Sequence, residues 1–130
     1  MKTLALLVAT TIATLTTQAQ AEYHGSDYES AYKASIDSGE TLVVLISATW
    51  CSPCNQLKKD IKAMVLAGLL PEGVNIVTLD YKSETAKAMK PSGSVPELIK
   101  YERRKGKWVR TSSIGYLPPR AFKEFCNGKK

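Results

Sequence analysis

The apolar run Thr41-Leu42-Val43-Val44-Leu45-Ile46-Ser47-Ala48 constrains this chain more than any other stretch. Unbroken hydrophobicity over that length reads as a strand buried on both faces. Immediately after it comes Trp50-Cys51-Ser52-Pro53-Cys54. From there the pattern changes, because Leu57, Ile61, Met64 and Val65 recur at steps of three and four, which is helical spacing. The two cysteines therefore stand where a buried strand becomes a helix. Pro53 suits that junction, since a first helical turn has no use for the N–H that proline lacks. One turn brings Cys51 and Cys54 onto one face, close enough to close a small disulfide ring. The free N–H groups and positive dipole end of the helix favour a thiolate at Cys51. Such a corner suits reversible thiol–disulfide exchange.

Together with three features further along, this motif resembles the thioredoxin superfamily. The first is Gly93-Ser94-Val95-Pro96, a Gly-x-Val-Pro sequence opening a strand over residues up to Tyr101. The second is Gly115 after the last strand, and the third is a final amphipathic helix opened by Pro118-Pro119. The resemblance implies that Cys51 is the nucleophile and Cys54 the resolving thiol, flanked by Trp50 and shaped by Ser52 and Pro53. It implies a cis bond before Pro96, with the Val95 backbone pairing to an extended client segment as an added strand does. Gly115 is then the place where a client backbone approaches closely. Cys51 is expected to be exposed at the corner and Cys54 more buried.

Residues 1–21 carry the marks of an export signal. Lys2 precedes an apolar, Thr-rich stretch, and Ala19-Gln20-Ala21 is an A-x-A cleavage pattern. The stretch is shorter than the roughly 20 residues of a membrane span. The expectation is cleavage after Ala21, release to the periplasm, and one soluble domain over 22–130, which suits the length of 130 residues. A net charge of +6 raises the question of nucleic acid. Export argues against it, and acidic clients or anionic headgroups fit better. Three cysteines in an oxidising compartment allow one disulfide and a leftover thiol, which is Cys126, read as a small buried hydrophobe of the last helix.

Along the chain, Ser26 or Asp27 caps a helix with apolar positions Tyr28, Ala31, Tyr32 and Ile36, ended by Gly39. No strand is read over Glu22–Gly25, so the N-terminal edge strand is expected to be short or absent. A strand over Val74–Tyr81 lies parallel to the first, and Ser83 caps a short helix to Met89. Arg103–Lys107 is read as a polar turn joining Leu98–Glu102 to Trp108–Thr111. Ala121, Phe122 and Phe125 form the buried face of the last helix. The order gives the fold class: α/β, thioredoxin-like, a mixed sheet with helices on both faces.

Many thioredoxins place a buried aspartate six residues before the first cysteine. Here Leu45 occupies that position, and Glu97 is the candidate proton acceptor in its place. Ser52-Pro53 lacks the histidine that stabilises the thiolate in strong oxidants. A thiol shift of about two pH units is worth about 2.7 kcal/mol, or roughly 60 mV, so its absence leans the chain toward reductase activity. The reading is a periplasmic thiol–disulfide oxidoreductase acting on cysteine-containing protein clients. It requires no cofactor or metal, works as a monomer, and depends on a membrane-bound redox partner. The rival is a thioredoxin-fold binding or chaperone-like module with little redox turnover. No Ser-His-Asp set, phosphate loop or paired-carboxylate site stands out.

Overall fold

The computed structural model describes residues 20–128, so the expected signal segment lies almost wholly outside the described residues. Nine elements follow in order. These are β1 (Glu22–Tyr23), α1 (Tyr28–Ser38), β2 (Thr41–Ser47), α2 (Ser52–Leu66), β3 (Val74–Asp80), α3 (Glu84–Ala88), β4 (Glu97–Arg104), β5 (Lys107–Ile114) and α4 (Pro119–Cys126). They build one five-stranded sheet in the order β1-β3-β2-β4-β5. Strands β1, β3 and β2 run parallel, and β4 and β5 are antiparallel to their neighbours.

The apolar run sits where its composition demands, in the centre. Val43 and Leu45 face one side, in a core that also holds Leu57, Ile61, Leu98 and Phe122. Leu42, Val44 and Ile46 face the other, with Ala31, Val77, Ala86 and Ile99. Alternate residues of one strand thus feed two cores. Helices α2 and α4 cover the first face, and α1 and α3 cover the second.

The N-terminal edge strand is short, as expected: two residues only, pairing Glu22 with Asn75 and Tyr23 with Ile76. Three local expectations change. In α1 the buried positions are Ala31 and Ser35, whereas Tyr32 and Ile36 stay more than 40% exposed. Ser35 lies inside because Asn75 of β3 donates to its hydroxyl at 3.2 Å, so a polar contact sets that face. The hairpin of β4 and β5 is longer than its hydrophobic pattern, with Arg103, Arg104 and Lys107 in strands and only Lys105-Gly106 turning. Both turn residues have positive φ, 51° and 77°, the two-residue turn that matches strand twist. Glu97, finally, opens β4 and is buried.

The capping expectations resolve simply. Asp27 rather than Ser26 caps α1, its side chain accepting from Ser30 N–H at 3.1 Å. That bond, with one from the Ser30 hydroxyl, holds the Asp27 carboxyl below its ordinary range. Ser83 caps α3, accepting from Ala86 N–H.

Candidate functional site

Strand β2 ends at Ser47, and the chain turns through Ala48, Thr49 and Trp50 into α2. The turn is closed by Cys51 N–H donating to Ala48 O at 3.1 Å. Cys51 is the N-cap of α2, with extended φ and ψ, and its Sγ accepts from Cys54 N–H at 3.3 Å. The sulfur thus occupies the place a serine or aspartate oxygen takes at other helix starts, where negative charge is favoured. Pro53 stands in the first turn. Cys51 and Cys54 are joined as a disulfide with Cα atoms 5.2 Å apart.

Exposure departs from expectation. Cys54 is fully buried, but Cys51 is also only 5% exposed. The two cysteines form a small apolar cluster with Ala48, against which Tyr81 and Val95 pack. Trp50 is 69% exposed and meets the Tyr81 ring edge-on at 6.0 Å between centroids. Tyr81, which the sequence reading passed over, is therefore part of the site. Its signal was its place, one residue beyond β3, whose end lies beside that of β2. Its N–H donates to Ser47 O at 2.9 Å, which fixes it there.

The remaining site residues come from the far end of the sheet. The Val95–Pro96 peptide is cis, and Pro96 O accepts from Gly115 N–H at 2.8 Å. Gly115 has φ +96°, and a Cβ added there meets no atom within 4 Å. The loop beside it is tied to α2, because the Tyr116 hydroxyl donates to Asp60 Oδ2 at 2.6 Å. That bond to Asp60 raises the Tyr116 phenol above its ordinary range.

Glu97 is buried and bonded to its own loop. Its carboxylate accepts from Ser92 N–H at 2.8 Å and from the Ser92 hydroxyl, clipping the loop that leads into Val95–Pro96. By strand alternation it lies on the Ile99 face of the sheet, opposite the Leu45 and Leu98 face that α2 covers. Its observed hydrogen-bond partners belong to the loop, so Glu97 anchors that loop.

Cys126 is buried on α4 in the core that holds Phe122, and burial pushes its thiol up to about 12. The His24 ring is engaged with Asn75 Oδ1 at 2.9 Å. No group of three or more His, Cys, Asp or Glu is arranged to hold a metal among the described residues. A cavity of about 730 Å³ lies over the other sheet face, lined by Tyr28, Tyr32, Tyr101 and Trp108. It contains neither cysteine of the pair. Among the described residues, no helix is long and apolar enough to cross a membrane.

With geometry in place, the molecule can be set beside solved structures. A thioredoxin of Plasmodium falciparum superposes with a TM-score of 0.64 at 20% identity, over 85% of this chain and 89% of that one. The chain has the thioredoxin fold. Thioredoxins of Trichomonas vaginalis and Fasciola hepatica both superpose with a TM-score of 0.59 at 19% identity. The first match spans 81% of this chain and 93% of that one, the second 84% and 99%. No family model and no curated protein matches the sequence. The thioredoxin fold thus accounts for the five-stranded mixed sheet, and the short β1 is its trimmed edge.

Proposed function

We propose that the protein is a thiol–disulfide oxidoreductase that exchanges disulfides in protein clients through Cys51 and Cys54. The carrying observation is the pair itself. Two cysteines bridge the first turn of α2, with a backbone N–H already aimed at the sulfur of the first. A disulfide closing so short a loop restrains the unfolded chain little, so a purely structural role gains little from it. The same N–H and the helix dipole stabilise a Cys51 thiolate once the bond is reduced, which is what an attacking thiol needs.

Clients are read as extended segments because of the Val95 backbone and Gly115. Val95 packs on the cysteine cluster, and Gly115 leaves open space beside Pro96. The lean is toward reduction, since Ser52-Pro53 brings no cation beside Cys51. Export to the periplasm, a monomeric state and a membrane-bound electron donor complete the reading. They rest on the pattern of residues 1–21 and on the need to keep a dithiol reduced outside the cytoplasm.

The test is the equilibrium reduction potential of residues 22–130 against glutathione, with alkylation to identify the participating thiols. A value near −270 mV is expected for a reductant, whereas one near −120 mV makes the protein an oxidant. The absence of any reversible Cys51–Cys54 couple removes the enzyme reading and leaves the binding module. Trapping with Cys54→Ala adds a second check. It should accumulate mixed disulfides between Cys51 and client proteins.

A further inference from the structure

The charge of this chain is unevenly spread. Residues 103–123 hold seven Lys and Arg and no Asp or Glu, so the stretch alone carries +7 against +6 for the whole chain. Everything outside it nearly cancels. Such asymmetry is a statement about partners rather than about the fold. Four of the seven cations, Arg103, Arg104, Lys105 and Lys107, lie at the tip of the β4–β5 hairpin.

The tip stands clear of the packed layers. Burial along β4 gives way to exposure toward Arg104, and residues 103–108 are all exposed. Among the described residues, only Arg104 of the four meets an acidic group, Glu102. Trp108, cross-strand from Arg103, is 40% exposed beside them. Tyr32 and Ile36 of α1 are also open to solvent, and with Trp108 they line the cavity of about 730 Å³. Apolar surface thus abuts the cations.

Solvation alone accounts for the cations but not for an indole set among them. An open indole next to ammonium and guanidinium groups matches a headgroup layer, where interfacial aromatic rings and lipid phosphates meet. A projecting two-residue turn also meets a flat surface end-on more readily than it encloses a polymer chain. We propose that the hairpin tip docks on an anionic bilayer surface. Arg103, Lys105 and Lys107 face the lipid phosphates, and the Trp108 ring enters the headgroup level.

This docking goes beyond the thiol chemistry and does not depend on it. Register places Leu42 beside Tyr101 and Ile46 beside Glu97, so the turn lies past the start of β2 and the cysteines past its end. At 3.4 Å per residue, the eight residues of β4 set the two roughly 27 Å apart. A docked molecule therefore turns Cys51 and Cys54 away from the lipid, toward clients in the aqueous space. Each basic side chain near an anionic surface strengthens binding about fivefold, within a Debye length of about 8 Å at 0.15 M salt. Attachment of this kind is reversible and weakens as salt rises.

Protein recovered from expression of the full chain is sedimented with vesicles of three parts phosphatidylcholine to one of phosphatidylglycerol, and with pure phosphatidylcholine. Partition onto the anionic vesicles alone is expected, falling as salt is raised. The Arg103→Gln/Lys105→Gln/Lys107→Gln variant should lose about 100-fold in partition and still reduce a soluble protein disulfide at the wild-type rate. If that variant does not fold, Lys105→Gln and Lys107→Gln are read singly, each with about a fivefold loss. Trp50→Phe leaves Trp108 as the single indole, whose emission should shift to the blue and be quenched by brominated lipid. Equal partition onto phosphatidylcholine, or a folded triple variant that binds as wild type does, overturns the proposal. Binding to duplex DNA or polyglutamate without partition onto the anionic vesicles also overturns it, and assigns the patch to an acidic polymer. Failure of the Cys51–Cys54 couple leaves this result untouched, so the two readings fail separately.

Discussion

Replacing Gly115 by alanine separates the backbone requirement of the fold from the space a client needs. At φ +96° an L-residue is strained by about 1–2 kcal/mol. No further steric cost is expected, because the added Cβ meets no protein atom within 4 Å. Stability should therefore fall by that strain alone, a drop in Tm of roughly 5–10 °C for a domain of this size. The hydrogen bond from residue 115 to Pro96 O remains available, so the loop keeps its anchor. The methyl enters space that an approaching backbone would use. Loss of one client hydrogen bond, about 1 kcal/mol, slows reaction with a protein disulfide several-fold. A small disulfide such as oxidised glutathione makes no such approach and should react at the wild-type rate. The assay is kcat/KM for both substrates with thermal unfolding alongside. Equal losses on the two substrates, or none on the protein disulfide, refute the assignment of Gly115 to client contact.

Three further outcomes follow from side chains elsewhere. Cys126 should resist alkylation at pH 8 until the protein is denatured, because burial holds its thiol at about 12. Since that is above its unfolded value, its contribution to stability is complete below about pH 9. It declines as pH rises toward 12, by up to about 1.4 kcal/mol per unit, as urea titrations across that range will measure. Lys100 is 2% exposed, and its Nζ donates to Phe125 O at 2.7 Å, holding the last turn of α4. Lys100→Met should cost about 2–3 kcal/mol in urea unfolding, with fraying seen first in amide exchange of α4. Glu97→Gln, which keeps an acceptor for Ser92 N–H, should retain most activity on protein disulfides. Glu97→Ala should lose several-fold and expose the 92–96 amides to exchange.

Much of the fold was legible because the decisive signals are local. The run 41–48 identified a strand covered on both faces, the 3.6-residue spacing after Cys54 identified α2, and the cysteine pair marked their junction. These follow from patterns that each residue carries with it. The pairing of the short N-terminal strand, the inward face of α1 and the length of the β4–β5 hairpin did not follow. Each depends on a partner distant in sequence: Asn75 for Ser35, Ile76 for Tyr23, and cross-strand pairing for Arg104 and Lys107.

The same division runs through the site. Sequence alone determined that Cys51 and Cys54 share one helical turn at a strand end, with an apolar Leu45 in the strand that leads to them. Tertiary structure decided that Cys51 is covered, that Tyr81 supports Trp50, and that Glu97 serves its loop. It also set Ser47 beside Asp80. Parallel strands align residues 33 positions apart only once a register is chosen, and register is a property of the assembled sheet.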